Sequence, residues 1–185
     1  MRRVPTDIDE TVLKKLYEDE DGVALYEYTP TLLSPLYCDF EPMRFVRRMR
    51  FLDEYLKKGH YKVYYLAVNG RLVGYNVLAP GGRRLSFSTA ADIVSGPMFI
   101  AADCRGKGYN ALLHRLSLPR CAYPYEYVYC WIAKTNKASL RSIQKQGWEK
   151  VGELNIVGRS RRLVPAENGQ DEVYRLRNPQ RSEES

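Results

Sequence analysis

The stretch Met98-Phe-Ile-Ala-Ala-Asp-Cys-Arg-Gly-Lys-Gly-Tyr-Asn-Ala-Leu-Leu113 runs from an apolar segment through a glycine-rich turn into amphipathic sequence. It predicts a strand, a turn between Arg105 and Gly108, and a helix that continues to about Leu118. A turn that opens a helix exposes several backbone N–H groups, and such groups bind phosphate oxygens. Glycines let the backbone approach a ligand closely, and Arg105 and Lys107 add positive charge. The stretch therefore predicts a phosphate-binding turn.

Two known phosphate-binding motifs fit this turn poorly. A P-loop needs Ser or Thr after its Gly-Lys pair and a glycine six residues before the lysine, but Lys107 is followed by Gly108, and positions 101 and 102 are both alanine. The dinucleotide fingerprint G-x-G-x-x-A is formally met by Gly106, Gly108 and Ala111. That motif opens a long doubly wound sheet, whereas only 74 residues (185 − 111) follow Ala111 and a hairpin precedes it. A structural turn without a ligand is the other alternative.

The neighbouring sequence predicts further strands. Residues 63–78 read as a hairpin around Asn69-Gly70, the signal for a tight primed turn. A strand over 92–101 is interrupted by Gly96-Pro97, and because proline cannot donate to a ladder, a bulge or splay is expected there. The other predicted elements are helices over 9–18, 41–58 and 138–146, and strands over 23–28, 125–132, 151–157 and 172–177.

This order predicts an α/β (α+β) fold with a mixed central sheet. We expect one domain over residues 1–178, with about six or seven strands, about four flanking helices and a frayed tail over 179–185. In the strand over 125–132, three tyrosines and Trp131 alternate onto one face and are expected to belong to the core.

Composition narrows the class of protein. The 185 residues are 44% hydrophobic, with no apolar stretch of membrane-spanning length and no apolar leader at the start. We therefore expect a cytoplasmic protein without a membrane partner. The net charge of +7 (29 − 22) favours anionic partners, but the basic residues are scattered, so a nucleic-acid partner is not expected. Four cysteines without a C-x-x-C pair and two histidines predict reduced thiols and no metal site.

Two motifs carry a resemblance to a known family. Residues 105–110, Arg-Gly-Lys-Gly-Tyr-Asn, resemble the R/Q-x-x-G-x-G/A signature of the GCN5-related N-acetyltransferases (GNAT family). Residues 136–148, from Asn136 to Trp148, are similar to that family's N-x-A-S-x(5)-K-x-G-F segment. The hairpin around Asn69-Gly70 also looks like the family's central hairpin. The resemblance covers residues 64–152 and implies a sheet that splays at the strand next to the cofactor.

The resemblance implies acetyl-CoA as co-substrate and no metal. Its binding residues would be Met98, Phe99, Ile100, Arg105, Gly106, Lys107, Gly108, Tyr109, Asn110 and Asn136. The turn would hold the pyrophosphate, and the N–H groups of residues 98–100 would polarise the thioester carbonyl.

A general base would remove the proton of the acceptor amine, and Asp92 and Glu126 are the candidates. Each of them has a solvated or capping carboxylate as its alternative interpretation. The sequence departs from the family at Asn110, where glycine or alanine is usual, and at Ile143, where many members carry a tyrosine that protonates the leaving thiolate. Tyr129, Ser142 or water stay open as replacements for that acid.

The sequence thus predicts an acetyl-CoA-dependent N-acetyltransferase that acts on a primary amine. A small molecule such as an amino sugar is favoured over a protein as the acceptor. The alternative is a catalytically silent CoA-binding regulator of the same fold, motivated by Ile143. His114 is expected to be packed rather than catalytic, and the arginines of residues 44–50 to form a solvated face or to attract an acidic acceptor. The acceptor's identity and a homodimeric state are left open.

Overall fold

The structure, a computed structural model, describes residues 6–38, 40, 61–81, 88–158 and 162–178. The chain forms two compact units. The first comprises Met1–Ala79 and Gly96–Ala122, and the second comprises Pro80–Ser95 and Tyr123–Ser185. The predicted helix over 41–58 and the predicted tail lie outside the described residues.

The first unit is built on an antiparallel sheet in which β1, β2, β3 and β4 are neighbours in chain order. The end of β5, a short 3-10 turn and helix α1 complete it. The bounds are β1 Lys14–Glu18, β2 Val23–Tyr28, β3 Lys62–Val68, β4 Arg71–Pro80, β5 Ile93–Ile100, the 3-10 turn Ala102–Cys104 and α1 Tyr109–Ser117.

The predicted hairpin is confirmed as β3 and β4. Its turn places Asn69 at φ +50° and Gly70 at φ +71°, as a primed turn requires. Tyr65 on β3 is fully buried, and its hydroxyl accepts a hydrogen bond from the Tyr37 N–H at 3.0 Å. Aromatic rings dominate this core, with centroids 5.6–6.5 Å apart, and they belong to Tyr28, Tyr37, Phe40, Tyr65, Tyr75 and Phe99.

The helix predicted over 9–18 is wrong. Only one turn forms, in which the N–H groups of residues 12 and 13 donate to the Asp9 carbonyl, and the chain then becomes β1. A turn at Asp19–Gly22 pairs β1 with β2, since the Asp19 N–H donates to the Val23 carbonyl at 3.0 Å and Gly22 has φ +72°. Leu13 is fully buried while Val12 is 40% exposed, so the apolar residues do not share a helical face.

The second unit orders its strands as β5, β6, β9, β7 and β8. The pair β5–β6 is parallel and the others are antiparallel, which confirms the mixed sheet. The bounds are β6 Tyr127–Ala133, α2 Lys137–Lys145, β7 Glu149–Val157, β8 Arg162–Pro165 and β9 Asp171–Arg177.

The predicted fold class is confirmed, although the number of strands is larger than predicted. Nine strands and two α-helices lie in the described residues, against the six or seven strands and four helices expected. The two additions are β1 and the four-residue β8. Tyr127, Tyr129 and Trp131 belong to one apolar cluster with Leu154 and Val173, which confirms the predicted core face of β6. None of the described helices has the length and apolar character needed to cross a membrane.

Glu153 on β7 is held between two lysines of the second unit. Lys134 Nζ lies 2.5 Å from Oε2 and Lys150 Nζ lies 2.8 Å from Oε1. These two hydrogen bonds lower the pKa of Glu153 to about 2. Its carboxylate therefore stays ionised far below the pH at which an ordinary glutamate is protonated.

We expect Glu153→Gln to lower the melting temperature at neutral pH and to lose this effect in acid. Because the folded pKa is lowered, the ion pairs stabilise the protein above the ordinary glutamate pKa, and that stabilisation disappears as the pH falls towards the folded value. Thermal unfolding at a series of pH values measures the difference. Glu167→Gln is the control, since Glu167 is exposed and has no ion pair among the described residues. If the melting temperatures of Glu153→Gln and wild type differed as much in acid as at neutral pH, the prediction would be contradicted.

Candidate cofactor site

Strand β5 leaves its neighbour β6 midway. The parallel ladder holds two pairs, Ile93 with Val128 and Val94 with Tyr129, and no later residue of β5 pairs with β6. Gly96 has φ +125° and Pro97 has no N–H to donate, which explains why pairing stops there. The predicted interruption of this strand at Gly96-Pro97 is thereby confirmed. Beyond Pro97 the apolar side chains of β5 are only half-buried.

The end of β5 lies very close to β4 in the first unit. The Ala101 N–H donates to the Val73 carbonyl at 2.9 Å. A Cβ on Gly74 would lie 2.5 Å from the Phe99 carbonyl oxygen and 2.6 Å from Ile100 Cδ1. Only glycine permits this approach, so Gly74 sets the position of the strand end. Sequence reasoning missed this role, although a glycine inside an apolar strand is its usual signal.

The turn after β5 folds back onto the strand end. Arg105 Nε donates to the Ile100 carbonyl at 3.1 Å, and its guanidinium lies 5.5 Å from the Phe99 ring centroid. Arg71 on β4 forms an ion pair with Asp103 of the 3-10 turn at 2.6 Å. Both partners are largely exposed, so this pair orients the turn more than it stabilises the fold.

The two signature glycines adopt left-handed backbone conformations. Gly106 has φ +78°, and Gly108, the N-cap of α1, has φ +79°. A Cβ at either position would meet no atom within 4 Å, so their open sides face outward. Within the part of the chain that the structure describes, the N–H groups of residues 106–109 make no hydrogen bond. Donors at a helix N-terminus beside Arg105 and Lys107 suit a diphosphate.

Asn110, the second residue of α1, contacts the strand before the turn. Its Nδ2 lies 2.9 Å from the Met98 Sδ, and both side chains are half-buried. Because the two residues are 12 positions apart, no local sequence pattern could have predicted this contact.

Asn136 is the N-cap of α2 in the second unit. Its Oδ1 accepts a hydrogen bond from the Ser139 N–H at 3.2 Å, and the side chain is exposed. This hydrogen bond gives Asn136 a structural role at the start of α2, while its contact with a cofactor stays a prediction.

We expect Asn136→Ala to destabilise the protein by about 1 kcal/mol through loss of the cap. Asn136→Asp keeps the capping oxygen and removes the amide donor, so it should leave stability nearly unchanged. Urea unfolding measures the free energy that the cap contributes. Calorimetry with CoA measures how much the amide donor contributes to affinity. Equal stability of Asn136→Ala and wild type would contradict the capping role.

The structure brings the two candidate bases close together in the second unit. The Glu126 N–H donates to the Ala91 carbonyl at 2.7 Å, and the Tyr127 N–H donates to Asp92 Oδ1 at 3.2 Å. Asp92 Oδ2 also accepts from the Thr89 N–H and hydroxyl at 2.7 and 2.9 Å. Asp92 is 3% exposed and acts as a clamp between these segments. Glu126 is half-buried, and its carboxylate has no partner among the described residues.

The candidate acids for the thiolate lie in the second unit. Ile143 is 3% exposed and faces the core from α2. Burial, together with the charge of Asp92, raises the pKa of Tyr129, and Ser142 Oγ accepts from Gln146 Nε2 at 3.2 Å. In the first unit His114 is buried, which confirms that it is packed. The described residues hold no cluster of three or more His, Cys, Asp or Glu placed for a metal ion.

Comparisons with known proteins identify the fold. No family profile and no curated protein matches the chain. Solved structures do match it, at 11–16% identity. An N-acetyltransferase from Staphylococcus aureus Mu50 has 16% identity and a TM-score of 0.51, covering 83% of this chain and 98% of its own. A candidate GNAT acetyltransferase from Desulfovibrio desulfuricans has 14% identity and a TM-score of 0.56, covering 84% and 98%.

A third match was solved with its cofactor. It is a candidate acetyltransferase from Salmonella typhimurium in complex with acetyl-CoA, with 14% identity and a TM-score of 0.50, covering 83% of this chain and 93% of its own. Together with the strand that leaves its neighbour and the glycine turn that follows it, these matches establish the architecture. The chain has the fold of the GNAT acetyltransferases.

Proposed function

We propose that this protein is an acetyl-CoA-dependent N-acetyltransferase that acetylates a primary amine. The observation that carries the proposal is the turn at residues 105–110. It presents outward-facing left-handed glycines and N–H groups at the start of α1, flanked by two cations. A fold shared with acetyltransferases supports it, as does the acetyl-CoA bound to the Salmonella typhimurium protein.

The turn fits the diphosphate of CoA. In this proposal the N–H groups of residues 106–109 hold its oxygens, and Arg105 and Lys107 balance its charge. Residues 98–100, half-buried at the end of β5, line the path of the arm and direct N–H groups at the thioester carbonyl. Bound acetyl-CoA supplies an activated acetyl group to the acceptor amine.

Among the candidate bases we favour Glu126 over Asp92. Three donors already occupy the oxygens of Asp92, whereas Glu126 has no partner among the described residues. In the proposed reaction the amine nitrogen forms a bond to the carbonyl carbon, and the carbon–sulfur bond breaks. Glu126, through water, takes the amine proton, and the sulfur receives a proton from a group other than residue 143, which is isoleucine.

A second candidate function is CoA binding without turnover. Ile143 is the observation that favours it, because a buried aliphatic side chain stands where many similar enzymes carry an acidic tyrosine. Replacing it with tyrosine would force a larger side chain into a packed site, so Ile143→Tyr is expected to destabilise the protein by roughly 1–3 kcal/mol. An inactive Ile143→Tyr variant would therefore not distinguish an enzyme from a CoA-binding regulator, because the substitution itself disturbs the fold.

Two measurements on the full chain separate these functions. Calorimetry with acetyl-CoA tests cofactor binding, and thiol release over a panel of amino sugars, polyamines, amino acids and peptides tests turnover. We expect the protein to bind acetyl-CoA and to release thiol in the presence of at least one small-molecule amine. We expect Glu126→Gln to slow that release. Binding of acetyl-CoA without thiol release in the presence of any amine of the panel would favour the silent regulator. Absence of binding would overturn both.

A further inference from the structure

Asn110 and Met98 join the two ends of the segment that carries the candidate site. The amide Nδ2 of Asn110 lies 2.9 Å from the thioether sulfur of Met98, and both side chains are half-buried. Asn110 belongs to the first turn of α1, and Met98 belongs to the half of β5 that no longer pairs with β6. Glycine or alanine, the usual residue at this signature position, has no side chain that could make this contact.

Two other hydrogen bonds hold the turn, and both involve only residues of the turn and the end of β5. The Cys104 N–H donates to the Ala101 carbonyl at 2.9 Å, and Arg105 Nε donates to the Ile100 carbonyl at 3.1 Å. They fix the start of the turn against the end of β5. Asn110 adds a contact from beyond the turn, so α1 and β5 are attached to each other on both sides of the glycines.

We propose that Asn110 is a positioning residue that couples the phosphate-binding turn to the acyl-binding end of β5 through Met98. The inference rests on the proposed function, because it assigns the diphosphate to the turn and the thioester arm to the strand end. A diphosphate that binds the first N–H groups of α1 restrains the first turn of that helix. Through the amide of Asn110 the restraint reaches the Met98 side chain, and by linkage an ordered Met98 favours diphosphate binding.

Methyl NMR of methionine reports on this coupling directly. The chain has four methionines, so [methyl-13C]methionine labelling gives four signals, and Met98→Leu assigns the one of interest. In the free protein, Asn110→Leu keeps the bulk of the side chain but cannot donate a hydrogen bond. We expect it to shift the Met98 methyl signal and leave the other three in place. Tyr109→Phe, a change on the adjacent residue of α1, is the matched control and should not shift it.

ADP supplies the diphosphate without the pantetheine arm. In wild type we expect ADP to shift the Met98 signal, and in Asn110→Leu we expect ADP to bind without shifting it. With acetyl-CoA and an amine substrate, Asn110→Leu should lower kcat by roughly three- to tenfold and change KM for acetyl-CoA less. Met98→Leu should lower kcat similarly, and the double variant should be no worse than either single one.

Three outcomes would overturn the coupling. The first is an identical Met98 signal in wild type and Asn110→Leu, and the second is a response to ADP that persists in Asn110→Leu. The third is binding of ADP or CoA that leaves the wild-type Met98 signal unmoved, which removes the coupling and leaves the proposed function standing. If neither ligand produces heat or any shift in wild type, the proposed function fails together with the coupling.

Discussion

Gly74→Ala should lower the stability of the protein by about 3 kcal/mol, near the upper end of the usual cost of overpacking. The added Cβ would lie 2.5 Å from the Phe99 carbonyl oxygen and 3.3 Å from Ile100 Cα, and both are backbone atoms that cannot rotate away. Relief requires β4 and β5 to separate, which strains the Ala101–Val73 hydrogen bond. For a chain of this size the melting temperature should fall by roughly 6–12 °C.

Gly152→Ala is the matched control for this experiment. Gly152 also lies in a strand, β7, but a Cβ there would meet no atom within 4 Å, and neither glycine has a positive φ. Differential scanning calorimetry and urea unfolding of both variants measure the contrast. In the folded fraction of Gly74→Ala, affinity for acetyl-CoA should also fall, because the displaced residues are those proposed to line the arm. A melting temperature within about 2 °C of wild type would contradict the close approach of β4 and β5.

Local signals in the sequence were sufficient for the elements that form their own turns. Asn69-Gly70 closes β3 and β4 with two positive φ angles, and the glycines before α1 form the predicted turn, in which both adopt a left-handed backbone. Asp21-Gly22, like Asn69-Gly70, is a dipeptide that favours a tight hairpin turn, and it lies between β1 and β2. Because the apolar residues before it match a helical period, the sequence predicts a helix where β1 forms.

No local sequence motif indicates the contacts between segments that are distant along the chain. Asp92 could be recognised as a carboxylate near a strand, but no local pattern indicates its hydrogen bond to the Tyr127 N–H, which spans 35 residues. Gly74 depends on the backbone of β5, some 25 positions later (99 − 74). Strand β8 is four residues long and ends in Pro165, too short to show alternation. Pairing partners, which only the folded chain supplies, decided each of these cases.

Gly108→Val should weaken acetyl-CoA binding tenfold or more, which corresponds to about 1.4 kcal/mol. At Gly108 the Cβ position meets no protein atom within 4 Å, so a valine side chain would project into the space where the diphosphate approaches the N–H groups of α1. It would also strain the backbone, because φ is +79° and a branched side chain rarely adopts that conformation. The binding effect must therefore be separated from the loss of stability.

Gly70→Val makes that separation. Gly70 has φ +71°, its Cβ position is equally open, and it lies in the β3–β4 turn of the same unit. Both variants should lose a similar amount of stability, on the order of 1–2 kcal/mol from the left-handed backbone. Calorimetric titration below the melting temperature of both should then find wild-type affinity for acetyl-CoA in Gly70→Val and the tenfold loss only in Gly108→Val. Equal affinities in the two folded variants would mean that the diphosphate does not bind at this turn, since a side chain beside the donor N–H groups would exclude it.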